Sequence, residues 1–396
     1  MYFKLSFCIC FFMGVVGTLA DDWPHFRGPH YTGTSTEKGL KLNFSTNKPT
    51  RLWRAKVKVG FSSISSSQGK LYTMGHSGGK DYVFCLDENT GKEIWSKSYK
   101  GQLQPNMYEG GPNTTPTIFD GLVYTLGKHG QFYCFDARTG KEKWSIDVSK
   151  EYNFDAPAWG FSGSPFISDD LVIINAGSSG IAFNRKSGKL AWKSAGGATS
   201  YATPVPYGKS ILLFTVTGLV NLVPKTGKKI WSYPWKTSHK INSADPVFDK
   251  DLIFISSGYG RGASVIKASS RSAKKVWEHK EMRNHFSSSV LHNGYIYGID
   301  GNTDSGDSGL KCIELKSGKV QWEEEVGFGS LMLAGDTLLV LRSKGQLLSV
   351  KATPSGYQNQ GKIQVLGGKC WTSPIISNGK FIARNAKGDL VCFKVN

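Results

Sequence analysis

Gly140-Lys141-Glu142-Lys143-Trp144 is one of five Gly-Lys-x-x-Trp pentads in this chain, and their spacing decides the fold. The others begin at Gly91, Gly188, Gly227 and Gly318. Ser272-Ala273-Lys274-Lys275-Val276-Trp277 is a degenerate copy, and an isolated Trp53 stands upstream. The seven tryptophans are separated by 42, 49, 48, 39, 46 and 45 residues. A period of this length filled with short strands marks a propeller or an array. Around Trp144 the grammar is explicit. Thr114-Thr115-Pro116-Thr117-Ile118-Phe119 leads into a turn, and Leu122-Val123-Tyr124-Thr125-Leu126 is a second strand. Gln131-Phe132-Tyr133-Cys134-Phe135 is a third, and Asp136-Ala137-Arg138-Thr139-Gly140-Lys141 turns into the outer strand. Four β-rich strands with turn residues between them make one blade, and the glycine suits a tight hairpin that needs positive φ.

Inner-strand starts recur near Ser62, Thr114, Gly163, Ala202, Ala244, Ser287, Ser330 and Thr372, which predicts eight blades. The eighth unit ends at Val391-Cys392-Phe393-Lys394-Val395 without an outer strand, while Arg51-Leu52-Trp53-Arg54-Ala55-Lys56-Val57 has that strand's character. The N-terminal strand is therefore expected to close the ring and remove its open edge. The expectation is an all-β, eight-bladed β-propeller with tryptophan-docked four-stranded blades. Each tryptophan fills the space between neighbouring blades, burying some 150–250 Å². The seventh outer strand is expected at Gly361-Lys362-Ile363-Gln364-Val365, with Val365 in place of the tryptophan.

Residues 1–20 combine Lys4, an apolar run from Leu5 to Leu19 and a small-residue end at Thr18-Leu19-Ala20. They read as a secretory signal peptide, about fifteen apolar residues being short for a bilayer span of roughly 20. Residues 21–48 are expected to pack on the propeller through Trp23, Phe26 and Arg27, and residues 49–396 to form it. The expected locality is exported, periplasmic or secreted, with no transmembrane span after signal cleavage. A net charge of +19 could draw an anionic partner. The lysines are spread by the repeat, however, and no dense basic run points to nucleic acid. Cys85, Cys134, Cys312 and Cys392 share one slot of the repeat. Equivalent slots in different blades lie too far apart for the roughly 6 Å of a disulfide, so these and Cys370 are expected as small buried thiols. No Cys-x-x-Cys supports a zinc knuckle or a redox dithiol.

Residues just before each inner strand should gather around one mouth of the central channel. That set includes Phe61, Asn113, Trp159, Phe161, Tyr201, Asn242, Arg283, Asn284, His285, Phe286 and Trp371. Aromatics mixed with amides and one arginine suit stacking and hydrogen bonding to a small molecule, a glycan or a protein partner's loop; the bland alternative is that they plug the channel and cap strands. Asp300, Asn302 and Asp304 alternate oxygen ligands in a tight loop, which suits calcium, although the segment lacks the sixth-position glycine and distal glutamate of an EF-hand and reads better as a solvated hairpin. Gly75-His76-Ser77-Gly78-Gly79 matches a nucleophile elbow in letters only, because that chemistry needs a strand-to-helix turn.

The Ala-x-Asp-x-x-Thr-Gly-Lys-x-x-Trp grammar resembles the tryptophan-docked repeats of pyrroloquinoline quinone (PQQ) dehydrogenases. It is also similar to the propeller lipoprotein of the outer-membrane β-barrel assembly machine. Over residues 21–396 the chain most resembles exported PQQ-binding-like β-propeller repeat proteins, as known from planctomycetes. Asp22-Trp23-Pro24-His25-Phe26-Arg27-Gly28-Pro29, Met282-Arg283-Asn284-His285-Phe286-Ser287-Ser288 and Gly368-Lys369-Cys370-Trp371-Thr372-Ser373-Pro374 carry that likeness. The resemblance implies the fold, and, in the dehydrogenases, PQQ held with calcium between a tryptophan and a disulfide of adjacent cysteines, with an aspartate taking the alcohol proton. This chain has no adjacent cysteines after Cys10, and Glu109, Asp155 and Asp245 are the few acids near blade starts. The expectation is a non-catalytic, exported binding scaffold that uses one channel mouth. The alternatives are a PQQ-dependent alcohol or sugar dehydrogenase and a glycan-binding propeller.

Overall fold

The computed structural model describes residues 22–105, 108–303 and 306–396; the signal-peptide reading of residues 1–20 and the candidate ligand Asp304 lie outside them. Eight antiparallel sheets follow one another along the chain. The first blade is built from Ser65–Ser67, Lys70–Ser77, Lys80–Asp87 and Glu93–Lys100, and the next five repeat that order up to Val320–Glu324. The eighth joins Ile375–Ser377, Lys380–Arg384 and Asp389–Lys394 to the N-terminal strand Thr50–Lys56, which pairs antiparallel with Asp389–Lys394. The ring is thus closed by hydrogen bonds between the two ends of the chain. Proline precedes five inner strands, at positions 116, 165, 204, 246 and 374, where a strand begins and a donor would go unpaired. Val148–Tyr152 is the one α-helix among the described residues, capped by Asp147.

Both ends of the pentad have a physical reason. Five of the seven docking tryptophans, Trp53, Trp95, Trp144, Trp192 and Trp277, lie on the glycine of the next blade's pentad. An added Cβ would stand 2.6 Å from Trp53 at Gly91, 2.8 Å from Trp95 at Gly140, 2.9 Å from Trp144 at Gly188 and 2.5 Å from Trp192 at Gly227. Real Cβ atoms essentially never come so near, so only glycine seats the ring, and its φ of +67 to +70° in these four turns independently favours glycine. The indole then donates across the seam, from Trp53 Nε1 to the Glu88 carbonyl at 3.0 Å and from Trp144 Nε1 to the Arg185 carbonyl at 3.0 Å. Trp95, Trp192, Trp277 and Trp322 do the same to Ala137, Pro224, Leu315 and Thr353. The repeated cysteines sit directly opposite these tryptophans, Cys85 facing Trp95, Cys134 facing Trp144, Cys312 facing Trp322 and Cys392 facing Trp53. They are buried and free. Burial pushes their thiols up to about 11 for Cys85 and about 12 for the others.

The seventh blade departs from the expectation. Its outer strand is Asn359–Gln364, and Val365 follows it. The ladder pairs Leu348 with Lys362, so the slot opposite Ser349, the counterpart of the cysteines, falls at Gly361. Here φ is +112°, and a Cβ would lie 2.6 Å from Ser45 N and 3.0 Å from Phe44 Cβ. Phe44 from the N-terminal extension is buried there with Leu42, Val365 and Leu366. Ser349 Oγ donates to the Leu42 carbonyl, and Ser45 N donates to the Gln360 carbonyl. The reason lies in the closure. The eighth blade's third and outer strands come from opposite chain ends, so no Gly-Lys turn connects them to receive a tryptophan. The extension supplies the packing instead.

The same extension then crosses one end of the channel. Trp23 bridges to Ser66 of the first blade, Pro24 accepts from Ile118 N of the second, and Tyr31 packs on Phe166 of the third. Arg27 donates to the Ser289 carbonyl of the sixth, and Thr34–Ser35 adds a parallel strand to the inner strand of the seventh. One segment thus spans nearly the whole ring.

Candidate functional site

At the opposite mouth the loops entering the inner strands enclose a cavity of about 500 Å³, within the range of small-molecule sites. Its wall is a continuous arc of aromatic rings. Successive centroids lie 5.5 Å apart from Trp159 to Tyr108, 5.2 Å to Phe61, 5.8 Å to Trp371 and 5.5 Å to Phe286. The arc continues 4.8 Å to His285 and 4.9 Å to Tyr259. Tyr201 joins the lining beyond it, and Phe26 of the N-terminal extension reaches the lining too. These rings are held in place. Asn113 Nδ2 donates to the Trp159 carbonyl at 3.1 Å. Lys128, buried behind the wall, donates to Tyr108 OH, and burial brings its ammonium down to about 7. Lys369 Nζ stands 4.4 Å from the Trp371 ring centroid.

Below the rings lies a belt of hydroxyls generated by the repeat. In seven blades the residue two before the inner strand is Ser63, Thr115, Ser164, Thr203, Asp245, Ser288 or Ser373. Five of these backbone N–H groups donate to the side chain of the next blade: Ser63 to Thr115, Thr115 to Ser164, Ser164 to Thr203, Thr203 to Asp245 and Asp245 to Ser288, at 2.9–3.2 Å. Six of the seven belt residues are hydroxylic and one is a carboxylate. Asp245 Oδ1 takes the Thr203 N–H, whereas Oδ2 makes no hydrogen bond and lies 3.9 Å from Arg27 Nε. Burial pushes the Asp245 carboxyl up to about 6, against the opposing pull of Arg27, and burial also lowers the Arg27 guanidinium. Both observations describe an ion pair stretched beyond contact in a dry setting.

Of the residues singled out from sequence, Trp159, Tyr201, His285 and Trp371 line this cavity, together with Phe61, Asn113 and Phe286. Phe161, Asn242, Arg283 and Asn284 lie outside the lining. Phe161 is core between the second and third blades. Asn242 is a buried hub, with Nδ2 donating to the Thr215 and Trp235 carbonyls and Oδ1 accepting from Ser257. Asn284 donates to the Ile299 carbonyl and accepts from Ser289 Oγ. Arg283 is committed to Asp300 at 2.7 and 3.0 Å and to Asp307 at 3.1 Å. That pair also bears on calcium. The Asp300 carboxylate is held by Arg283 and by Lys311 at 3.1 Å, while Asn302 Oδ1 accepts from Tyr259 N. Two cations already occupy the carboxylate a metal would need, and no metal-holding cluster of acidic, His or Cys side chains occurs among the described residues. Tyr108, Tyr259, Phe26 and Arg27 carried no periodic signal that ranked them; the belt position of Asp245 is periodic, with an acid where six other blades carry serine or threonine.

The same lining tests the quinone cofactor that the fold implies. PQQ is a planar tricarboxylate. Its rings would suit the aromatic arc, but no lysine or arginine is among the described lining residues, and the lone lining charge is Asp245. Three carboxylates would enter unpaired beside a fourth, which is costly in a partly dry site. The residues present do not fit the cofactor.

Comparison with known proteins places the chain. No curated protein matches its sequence. Among solved structures, BamB from Moraxella catarrhalis superposes with a TM-score of 0.67 at 15% identity, covering 87% of this chain and 99% of that one. The quinohemoprotein alcohol dehydrogenase from Comamonas testosteroni reaches 0.71 at 14% identity, covering 95% of this chain and 80% of its own. A europium-containing methanol dehydrogenase reaches 0.69 at 13% identity, with coverages of 94% and 89%. At these identities the likeness is one of fold. Residues 79–324, more than half of the chain, match the family described as outer membrane protein assembly factor BamB, and it is to this family of PQQ-type propeller repeats that the chain belongs.

Proposed function

We propose that this protein is an exported, non-catalytic binding propeller that takes a small polar ligand in the cavity at its channel mouth. The observation that carries the reading is the aromatic arc set over a hydroxyl belt, in a cavity toward which the N-terminal extension sends Phe26. Aromatic walls supply apolar contact at little entropic cost and polar groups beneath them fix orientation. Catalysis is disfavoured by the same lining. Glycoside cleavage generally needs two carboxylates, and Asp245 is the single acid among the described lining residues. A quinone dehydrogenase would need the cofactor that the lining does not suit. The family description, an assembly factor, is in keeping with a binding role. Export rests on the N-terminal apolar run followed by small residues.

The test is a ligand-observed NMR screen of a mixed small-molecule library against the full chain and a Trp159→Ala/Trp371→Ala variant. Compounds that bind the wild type and lose binding in the variant are expected. A screen whose hits bind both proteins equally would refute the mouth as the binding site.

A further inference from the structure

We infer that the ligand class of the mouth is a neutral sugar or sugar-like polyol, with its ring stacked on the aromatic arc and one hydroxyl donated to Asp245 Oδ2. This deepens the reading above and rests on it. Charge narrows the class first. Arg27, outside the lining, stands 3.9 Å from Asp245, so the guanidinium offsets the pull of the carboxylate on a cation, and an anion meets that carboxylate as the lone lining charge. A neutral molecule escapes both penalties. The shape of the polar groups narrows it again. Rings form the upper wall and hydroxyls the belt beneath, which matches a molecule with an apolar face and a hydroxyl-bearing edge.

Two buried atoms then point to where that edge sits. Asp245 is 4% exposed and Thr372 3% exposed, both line the cavity, and neither Asp245 Oδ2 nor Thr372 Oγ1 has a hydrogen-bond partner within the protein. An unpaired buried polar group is costly, and one that lines a cavity can take its partner from a molecule bound there. A carboxylate oxygen can only accept while ionised, and a threonine hydroxyl both donates and accepts. A sugar hydroxyl satisfies the first and completes the second. Asp245 also stands where six other blades carry serine or threonine, so the belt itself does not require an acid there.

The experiment is isothermal titration of the full chain with neutral methyl hexosides, N-acetylhexosamines and disaccharides, alongside uronic acids and amino sugars of matched ring stereochemistry. At least one neutral sugar is expected to saturate, with its charged counterparts about tenfold weaker or more. Asp245→Ser keeps a belt oxygen for the Thr203 N–H and is expected to weaken that sugar about tenfold, since the lost bond is to a charged acceptor. Thr372→Val removes an atom with no internal partner, so it tests the site even if Asp245→Ser folds poorly; it too is expected to weaken binding severalfold. The inference is overturned if a charged sugar binds as tightly as its neutral counterpart, if both variants bind as wild type, or if no sugar saturates at tens of millimolar. In that last case, hits of another class that depend on Trp159 and Trp371, a peptide included, leave the mouth standing and remove only the sugar. The absence of any hit that depends on them removes both.

Discussion

Gly91→Ala perturbs the seam that closes the ring, and its cost follows from two separable terms. The residue has φ +68°, and an added Cβ would stand 2.6 Å from Trp53 Cε3 and 2.7 Å from Cδ2. An L-residue in left-handed conformation costs about 1–2 kcal/mol, and overpacking a fixed ring costs a further ~1–3 kcal/mol. The expected destabilisation is therefore about 2–5 kcal/mol. Gly121→Ala is the internal control, because its φ is +71° but nothing lies within 4 Å of the new carbon. It should lose only the conformational term, about 1–2 kcal/mol. Urea unfolding followed by tryptophan fluorescence, compared at common slope, gives the difference directly. In a Trp53→Ala background the excess at Gly91 should vanish, since the two positions then no longer touch. Equal midpoint shifts for Gly91→Ala and Gly121→Ala would refute the idea that the pentad glycine exists to seat the preceding blade's tryptophan.

Phe44→Ala should destabilise by about 3–5 kcal/mol, the usual cost of emptying a buried phenylalanine site, as read by the same urea assay; an effect near zero would show that the extension does not serve as the seventh blade's docking group. Asp245 rises from its ordinary 3.8 to about 6 on folding, so the folded state holds the proton more tightly. Its stabilising contribution is full below about pH 4 and is lost as pH rises through 6, on the order of 3 kcal/mol for a shift of this size. Stability of the wild type relative to Asp245→Asn should accordingly increase on acidification from pH 7 to pH 4, and a flat difference would contradict the buried, poorly paired carboxylate. Titration of the full chain with PQQ and calcium should give no saturable binding in the micromolar range; tight calcium-dependent binding lost in Trp159→Ala would overturn the conclusion drawn from the lining.

The blades were legible because their causes are local and repeated. A turn glycine with positive φ, an apolar strand and a tryptophan three residues after the pentad lysine recur in five full copies, with the seven tryptophans 39 to 49 residues apart, and the copies average out the noise of any one. The closing strand around Trp53 was legible for the same reason, as the missing member of a counted set. Equivalent positions also predicted that Trp159, Tyr201, His285 and Trp371 share one mouth. They did not predict which neighbours turn away. Asn242 and Asn284 hydrogen-bond inward to backbone carbonyls, and Arg283 is drawn off by Asp300 and Asp307. Each is decided by a contact partner absent from the repeat.

What the amino-acid sequence determined by itself is therefore the architecture, from the strand grammar to the closing of the ring, because nearest-neighbour blades dock through residues that most units carry. What only the tertiary structure decided lies where the repeat is broken. Phe44 fills the slot at Gly361 because the chain ends leave no turn to receive a tryptophan. Arg27 meets Asp245 and Ser289 across more than two hundred residues, and no period relates those positions. The chemistry of the mouth is set by these single, non-local meetings, and a contact made once leaves no pattern in a sequence.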